Sequence, residues 1–323
     1  MKVLVTGASG LVGAAVSRRL ALQPAVDVLG ASRSATSMPM NVTAVTSPEL
    51  DGSADWRALL EGVDVVVHCA ARVHVMHDRS ADPIAEFRRV NVEGTRVLAL
   101  QALAQGVRRF VFVSSIKVNG ESTPIDRPFR ADDVPAPADP YGISKNEAEQ
   151  ALRAIAAGSG LELVIVRPVL VYGPGAKGNF SALMKAVARG WVLPLGAITN
   201  ARSLVALENL ADLLTVCVQH PAAAGQVFLA ADGDDVSTPE LIRRIGKAVG
   251  RRPRLMAVPP GLLAVAASIL GRAAAAQRLC QSLRVDIGNS AALLQWQPSV
   301  TMMQQLQTMV PGHSVSIDKE SAS

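Results

Sequence analysis

Three glycines near the start of the chain constrain its fold most strongly. Gly7, Gly10 and Gly13 stand in the segment G-A-S-G-L-V-G, between an apolar run over residues 3–6 and a helix predicted over residues 13–22. A glycine turn of this kind lets the backbone approach a phosphate closely, and the helix behind it supplies free N–H groups and a positive dipole end. The segment therefore predicts a strand–turn–helix unit that binds a pyrophosphate.

The first half of the chain continues this alternation of strands and helices. Further strands are predicted over residues 26–31, 63–69, 110–114 and 161–166, and helices over residues 90–105 and 140–157. The segment V-D-V-V-V-H-C is typical of a strand buried on both faces of a parallel sheet. Asp139 suits a helix N-cap, and Pro140 suits the first helical position. The pattern predicts an α/β fold with a doubly wound parallel sheet of the Rossmann type.

The rhythm changes after about residue 173, where proline and glycine become frequent and short strands such as residues 227–231 lie between helices. We predict a Rossmann dinucleotide-binding domain over residues 1–172 and a smaller C-terminal substrate-binding lobe over residues 173–311, interleaved with the first. The polar residues 312–323 are expected to form a disordered tail.

Composition excludes several classes of function. Of 323 residues, 49% are hydrophobic and only 3% aromatic, and the net charge is +5. Scattered basic residues with few aromatics to stack on bases argue against nucleic acid, and the one tight basic cluster (Arg251, Arg252 and Arg254) suits a solvated loop. The apolar stretch at 261–270 is too short to span a bilayer. A helix covering the substrate region suits it better, with loose membrane contact as the alternative, so no integral membrane segment is expected.

The three cysteines, Cys69, Cys217 and Cys280, lack the spacing of a metal site. We expect no metal and interpret Cys69 as a buried free thiol. The N-terminus does not resemble a signal peptide. Together these features predict a cytoplasmic protein.

A candidate catalytic group follows from Tyr141 and Lys145, in the segment Y-G-I-S-K at the start of a helix. Their spacing of four places both side chains on one helical face. Tyrosine, with an ordinary pKa of about 10, is a poor base, and a nearby ammonium lowers that pKa so that the phenolate can accept a proton from a hydroxyl. Ser115 ends a predicted strand, and the carboxyl ends of strands in an open α/β sheet face the ligand crevice.

The glycine spacing, Gly-x-x-Gly-x-x-Gly, and the serine, tyrosine and lysine resemble the short-chain dehydrogenase/reductase superfamily, in its extended, nucleotide-sugar-modifying branch. The resemblance implies that Ser115, Tyr141 and Lys145 form the catalytic triad and that Lys145 also holds the nicotinamide ribose. The cofactor contacts it implies are Gly7, Gly10, Leu11, Val12, Gly13, Arg33, Ala70, Ala71, Asn91, Ser114, Lys145 and Pro168. An ordinary helix cap is the alternative for Asn91, and His68 is interpreted as a packed core histidine.

The choice between NAD and NADP depends on the end of the second strand. Ala31, Ser32 and Arg33 stand there, where an acidic residue would bind the adenosine ribose. The missing acid and the available arginine permit the 2′-phosphate of NADP. An exposed loop arginine is equally compatible, so the cofactor is expected to be NAD or NADP.

The second half carries R-P-V-L-V-Y-G-P-G, which resembles the segment that leads to the substrate lobe in this family. The resemblance implies a UDP-sugar substrate, because related enzymes have an asparagine near the diphosphate, a backbone clamp on uracil and arginines on the phosphates. The substrate contacts it implies are Ser115, Lys117, Asn179, Leu195, Arg202 and Arg284. Each arginine has surface solvation as its alternative role.

The segments S-S-I-K-V-N-G-E, H-C-A-A-R-V-H-V-M and D-P-Y-G-I-S-K look most like a bacterial subgroup in surface-polysaccharide pathways. That subgroup reduces a UDP-4-keto-6-deoxy-N-acetylhexosamine to UDP-N-acetylquinovosamine. Because an epimerase must retain its cofactor and the strand-end acid is missing, the sequence favours a 4-ketoreductase that exchanges its cofactor at each turnover.

A UDP-hexose 4-epimerase using the same residues is the alternative. A 4,6-dehydratase is disfavoured because Ile116 and Lys117 follow Ser115, where an acidic pair is usual. A non-catalytic NADPH-sensing regulator typically loses the tyrosine or lysine that this chain retains. A homodimer through the helices at 90–105 and 140–157 is expected by resemblance.

Overall fold

The computed structural model describes residues 1–34, 38–73, 82–269 and 279–310; the predicted tail over residues 312–323 lies outside these ranges. Eleven strands occur in the described ranges. They are β1 (Lys2–Thr6), β2 (Asp27–Ser32), β3 (Val42–Thr46), β4 (Val65–His68), β5 (Arg109–Val113), β6 (Glu162–Pro168), β7 (Leu170–Tyr172), β8 (Val192–Leu193), β9 (Leu204–Ala206), β10 (Val227–Ala230) and β11 (Arg254–Leu255).

Seven strands form the central sheet in the order β10-β6-β5-β4-β1-β2-β3, and every neighbouring pair is parallel. The chain order reverses between β1 and β4. In open α/β sheets such a reversal opens a crevice at the carboxyl ends of the strands. The predicted doubly wound Rossmann sheet is confirmed.

Helices cover both faces of the sheet. The α-helices in the described ranges are α1 (Leu11–Leu20), α2 (Arg57–Leu60), α3 (Pro83–Phe87), α4 (Thr95–Ala104), α5 (Pro140–Ala156), α6 (Asn179–Arg189), α7 (Leu207–Gln219), α8 (Thr238–Ala248), α9 (Pro260–Ile269), α10 (Gly288–Leu294) and α11 (Met302–Thr308). Helix α1 packs on α7, and α4 packs on α5. Because successive strand residues point to opposite faces, Val65 and Val67 join one apolar core and Val66 joins the other.

The predicted helix over residues 90–105 departs from a regular α-helix. The chain passes from α3 through a π-helical segment, Arg88–Gly94, before α4 begins. A π-helical segment re-aims side chains within a helix and is frequent at functional sites. Gly94 lies tightly against Leu50, since a Cβ on Gly94 would lie 2.6 Å from the Leu50 Cγ.

Two strands differ from the sequence prediction. Strand β3 was not predicted, because its residues at the sheet edge are exposed or half-buried and form no apolar run. Residues 227–231 were assigned to the smaller lobe, but β10 lies at the other edge of the central sheet and pairs with β6. Phe228 and Ala230 in this strand are fully buried.

The remaining part of the second half has its own apolar core. Tyr172, Phe180, Met184 and Ile245 belong to it, on strand β7 and helices α6 and α8. Two small parallel sheets accompany it, β7 with β9 and β8 with β11. Among the described residues, no helix has both the length and the apolar character needed to cross a membrane.

Candidate active site

The glycine turn lies between β1 and α1, at the crevice. Gly7 has a φ of +66°, and a Cβ there would lie 2.8 Å from the Ala70 nitrogen. A Cβ on Gly13 would lie 2.2 Å from the Gly7 carbonyl oxygen. The first turn of α1 contains Leu11, and no side chain caps it at Gly10. The turn therefore brings backbone and uncapped helix N–H groups to the surface where an anion can bind.

The end of β2 lies beside this turn. Ala31 accepts a hydrogen bond from Ala8 N–H (3.1 Å), and Ser32 donates from its hydroxyl to the Ser34 carbonyl (2.7 Å). The Arg33 side chain is exposed. No carboxylate stands at the strand end, so Arg33 stays a predicted contact with the adenosine half of the cofactor.

His68, at the end of β4, has a structural role. Its Nδ1 lies 2.6 Å from the Thr6 hydroxyl and its Nε2 lies 3.0 Å from the Thr95 hydroxyl. Burial, aided by the charge of Lys145, lowers the pKa of His68 to about 3. His68 is therefore a neutral core histidine, as the sequence predicts. Ala70, which follows, contacts Gly7 and donates from its N–H to Thr6 Oγ1 (3.3 Å).

Asn91 lies in the π-helical segment and is buried. Its side-chain oxygen accepts from Arg72 N–H (2.8 Å), and its amide donates to the Arg72 carbonyl (3.0 Å) and to the Ser144 hydroxyl (3.0 Å). The alternative of an ordinary helix cap is wrong. Asn91 instead connects the segment after β4 to helix α5, through Ser144, the residue that precedes Lys145.

The three predicted catalytic residues come from two elements. Ser115 follows β5 and caps a short 3-10 helix, with its Oγ accepting from Lys117 N–H (3.3 Å). Helix α5 begins as predicted, because Asp139 accepts from Gly142 N–H (2.7 Å). Tyr141 lies in its first turn and Lys145 one turn later. The Ser115 side chain lies close enough to Tyr141 to lower the pKa of the tyrosine, so the structure brings the strand end next to the helix.

The electrostatics of the free site differ from the sequence prediction. Burial first, and the charge of Asp139 second, raise the pKa of Tyr141 to about 12, against a lowering by the hydrogen bond with Ser115. Burial lowers the pKa of Lys145 to about 7, although the charge of Glu149 opposes this. The tyrosine pKa therefore rises where the sequence predicts a lowering by the lysine, because burial and the charge of Asp139 dominate.

Lys145 is 2% exposed, and its Nζ lies 4.1 Å from the centroid of the Phe112 ring. Within the described ranges no oxygen accepts a hydrogen bond from this Nζ. An ammonium has three N–H donors, so Lys145 retains its full capacity to bind the hydroxyls of a ligand in the crevice.

A buried ion pair behind the triad was missed by the sequence prediction. Both oxygens of Glu149 accept from the Arg167 guanidinium (2.6 and 2.9 Å), and the Ser114 hydroxyl donates to Glu149 Oε1 (2.5 Å). Arg167 also donates to the side-chain oxygen of Asn119 (2.9 Å). Ser114, predicted as a cofactor contact, thus supports α5 from behind. The sequence did contain a signal for Glu149, because Tyr141, Lys145 and Glu149 are each four residues apart and so lie along one face of the helix.

Three of the predicted substrate residues have partners within the protein. Lys117 forms ion pairs with Asp139 and Glu121. Arg284 Nε donates to Asp235 Oδ2 (2.6 Å), and its guanidinium also donates to a backbone carbonyl. Arg202 donates to the Gln281 carbonyl (3.2 Å), and its backbone bridges to Leu283, which places Arg202 and Arg284 on adjoining segments.

The other predicted contacts are spread over several elements. Asn179 is exposed at the start of α6, Leu195 is half-buried after β8, and Pro168 is buried at the end of β6. These assignments stay predictions. In the described part of the chain no three His, Cys, Asp or Glu side chains cluster as metal ligands. Cys69 is a free cysteine, and burial raises the pKa of its thiol to about 12.

Comparison with known proteins agrees with this geometry. The model of the NAD dependent epimerase/dehydratase family matches residues 3–231, from β1 through β10. The chain belongs to this family, which confirms the resemblance drawn from the sequence.

A relative named UDP-glucose 4-epimerase, from Vibrio cholerae, is 43% identical over 303 residues, which cover 94% of this chain and 92% of the relative. The solved structure of MoeE5 in complex with UDP-glucose and NAD has a TM-score of 0.76 and 25% identity, and covers 96% of this chain and 97% of that one. The UDP-glucuronic acid 4-epimerase from Bacillus cereus, solved with NAD, has a TM-score of 0.76 and 20% identity, with coverage of 96% and 95%; it supports the fold.

The residues present fit a dinucleotide. Side chains at Gly7 and Gly13 would fill the turn that a pyrophosphate approaches. The Nζ of Lys145 has unused hydrogen-bond donors. Helix α5 follows β5, on the β4 side of the chain reversal, whereas the glycine turn follows β1, so these donors lie where a nicotinamide ribose would need them.

Proposed function

We propose that this chain is a UDP-hexose 4-epimerase that works with NAD at the Ser115, Tyr141 and Lys145 centre. The observation that carries the proposal is the placement of Tyr141 and Lys145 one turn apart at the start of α5, with Ser115 at the end of β5 close enough to lower the pKa of Tyr141. The sequence ranked a 4-ketoreductase first. The relative with 43% identity is named UDP-glucose 4-epimerase, which supports the alternative better.

The chain's own residues handle the proton and the orientation of the sugar. Tyr141 takes the proton from the C4 hydroxyl and later returns one to the same oxygen, while the Ser115 hydroxyl donates a hydrogen bond to it. Lys145 holds the ribose hydroxyls of the cofactor. NAD, held by Lys145 and the glycine turn, would supply the reversible acceptance of hydride from one face of the sugar carbon and its return to the opposite face, and the oxidised nicotinamide ring would add positive charge to the site.

The high pKa of Tyr141 in the free site has a consequence for this role. With a pKa of about 12, Tyr141 is protonated at neutral pH. Positive charge placed beside it stabilises the phenolate and lowers that pKa. We therefore expect Tyr141 to become an effective base only when the cofactor is bound, because the tyrosine of the cofactor-free protein stays protonated at neutral pH.

The nucleotide part of the substrate is proposed to lie against the C-terminal lobe. Arg202 and Arg284 lie on adjoining segments there, and guanidinium groups suit a diphosphate because they donate in pairs. Asn179 and the backbone at Leu195 are the further proposed contacts. Arg284 has to share its guanidinium between Asp235 and the phosphate.

The test compares two tyrosine variants, and the chain offers a matched pair because it contains only two tyrosines. Purified protein is incubated with UDP-galactose, and UDP-glucose is measured. Tyr141→Phe is expected to slow turnover by about 10²–10⁴-fold while retaining cofactor binding. Tyr172→Phe removes a hydroxyl that donates to Asp232 outside the site, and it is expected to retain turnover.

The 4-ketoreductase remains the second candidate, because the end of β2 carries no carboxylate to retain the adenosine ribose. It is tested with a UDP-4-keto-6-deoxy-N-acetylhexosamine and NADH or NADPH. Stoichiometric loss of reduced cofactor, without interconversion of the two hexoses, would reject the epimerase. Absence of turnover in both assays, with nicotinamide cofactor still bound, would reject both enzymes and favour the regulator, whereas turnover unchanged in Tyr141→Phe would reject the role of Tyr141.

A further inference from the structure

The C-terminal lobe exposes a group of large apolar side chains. We call this group the apolar ridge: Trp191, Val192, Met256, Leu262 and Val265, which are 57%, 47%, 50%, 62% and 59% exposed. Single exposed apolar side chains are ordinary on protein surfaces, but contiguous patches of them mark interaction sites.

Strand pairing brings Val192 and Met256 onto adjoining segments, and the chain leads from Met256 directly into α9. Val192 begins β8, which pairs with β11, so that Val192 lies opposite Arg254. Met256 follows β11 and donates from its N–H to the Leu193 carbonyl (2.9 Å). Helix α9 begins four residues after Met256 and carries Leu262 and Val265.

Helix α9 is unusual because it is apolar and yet several of its described side chains are exposed. Residues Pro260–Ile269 include no charged side chain, and Leu262, Ala264 and Val265 are all exposed. None of the extensive element contacts in the described ranges involves α9. A helix of this composition is normally buried in a core or against a partner.

Basic side chains border the apolar ridge. Arg189, Arg251, Arg252 and Arg254 are exposed, and the Arg189 guanidinium lies 5.6 Å from the centroid of the Trp191 ring. Unlike the arginines of α8, which pair with acidic side chains, these four form no ion pair with a carboxylate among the described residues. Their positive charge is therefore available to an anionic partner.

We propose that the apolar ridge and its four arginines dock the chain on the surface of an anionic lipid bilayer. Apolar side chains inserted at the headgroup boundary, a tryptophan at that level and a basic border are the combination that supports reversible binding to such a surface. A second copy of the chain fits less well, because a two-fold interface pairs a patch with itself and would bring the two arginine clusters together.

Docking of this kind is independent of the reaction proposed above. It involves none of the side chains proposed above for catalysis or substrate binding, so the enzyme at the surface is expected to turn over UDP-sugars from solution.

The test is sedimentation of the full-length protein with phosphatidylcholine vesicles, with and without about one-quarter phosphatidylglycerol. We expect binding to the anionic vesicles alone, weakened by added salt. Leu262→Asp with Val265→Asp is expected to abolish it. Arg252→Ala with Arg254→Ala is expected to weaken it about fivefold per arginine removed.

The matched control places aspartates at two exposed apolar positions elsewhere, Leu22→Asp with Val134→Asp, which are 76% and 85% exposed. It is expected to bind vesicles like the wild type, and all variants are expected to retain the wild-type circular dichroism and UDP-sugar turnover. Equal sedimentation with neutral and anionic vesicles, or unchanged binding of the Leu262 and Val265 variant, would overturn the proposal. Loss of a dimer in that variant, without a change in vesicle binding, would instead assign the ridge to contact between copies.

Discussion

Replacing Lys145 by methionine tests the energetics of the site. Burial lowers the pKa of Lys145 from its ordinary value of 10.5 to about 7, and this difference corresponds to about 5 kcal/mol of unfavourable free energy for the ammonium form. Lys145→Met should therefore raise the free energy of unfolding of the cofactor-free protein by about 4 kcal/mol at pH 7, where the folded-state ammonium is half titrated. The same variant should abolish turnover in the presence of NAD.

The free-energy cost of burying the Lys145 ammonium depends on pH. Because the folded-state pKa lies below the unfolded one, the wild type carries the cost in full below pH 7 and loses it as the pH rises toward 10.5. The stability advantage of Lys145→Met should shrink accordingly. Urea titrations at about pH 7 and pH 9.5 measure this, with Lys247→Met on the exposed side of α8 as a control that should gain little. A variant no more stable than the wild type at pH 7, or an advantage independent of pH, would refute the reasoning.

Two further predictions concern the support of the site. Glu149→Gln leaves the Arg167 guanidinium buried without its carboxylate and should cost about 3–5 kcal/mol in urea titrations, and a loss below about 1 kcal/mol would contradict this role of the ion pair. Gly13→Ala places a Cβ 2.2 Å from the Gly7 carbonyl oxygen and should weaken NAD binding at least about tenfold by calorimetry. Gly160→Ala, where a Cβ meets no atom within 4 Å, is its control, and equal NAD affinity in the two variants would count against the glycine cradle.

Local patterns were sufficient to predict much of the fold and the triad. The β-branched run that forms β4 and the Asp139–Pro140 start of α5 depend on neighbouring residues, which a sequence displays directly. The catalytic spacing of Tyr141 and Lys145 is likewise local.

The features that were missed depend on distant contacts or on burial. Strand β10 joins the central sheet through pairing with β6, more than fifty residues earlier in the chain, and no local pattern distinguishes that from a strand in the smaller lobe. The Glu149–Arg167 pair joins a helix to a strand, and the low pKa of Lys145 follows from its surroundings rather than from its neighbours in sequence. The expected homodimer and the boundary at residue 172 stay predictions.

The central claim is that one site removes hydride from C4 of a UDP-hexose and returns it to the same carbon. UDP-galactose carrying deuterium at C4 tests it directly, by nuclear magnetic resonance of the UDP-glucose formed without added reduced cofactor. We predict that the deuterium is retained at C4 of the product and that Tyr141→Phe forms product far more slowly with the same retention. Exchange of the label for solvent hydrogen, or no product from UDP-galactose at all, would contradict the account.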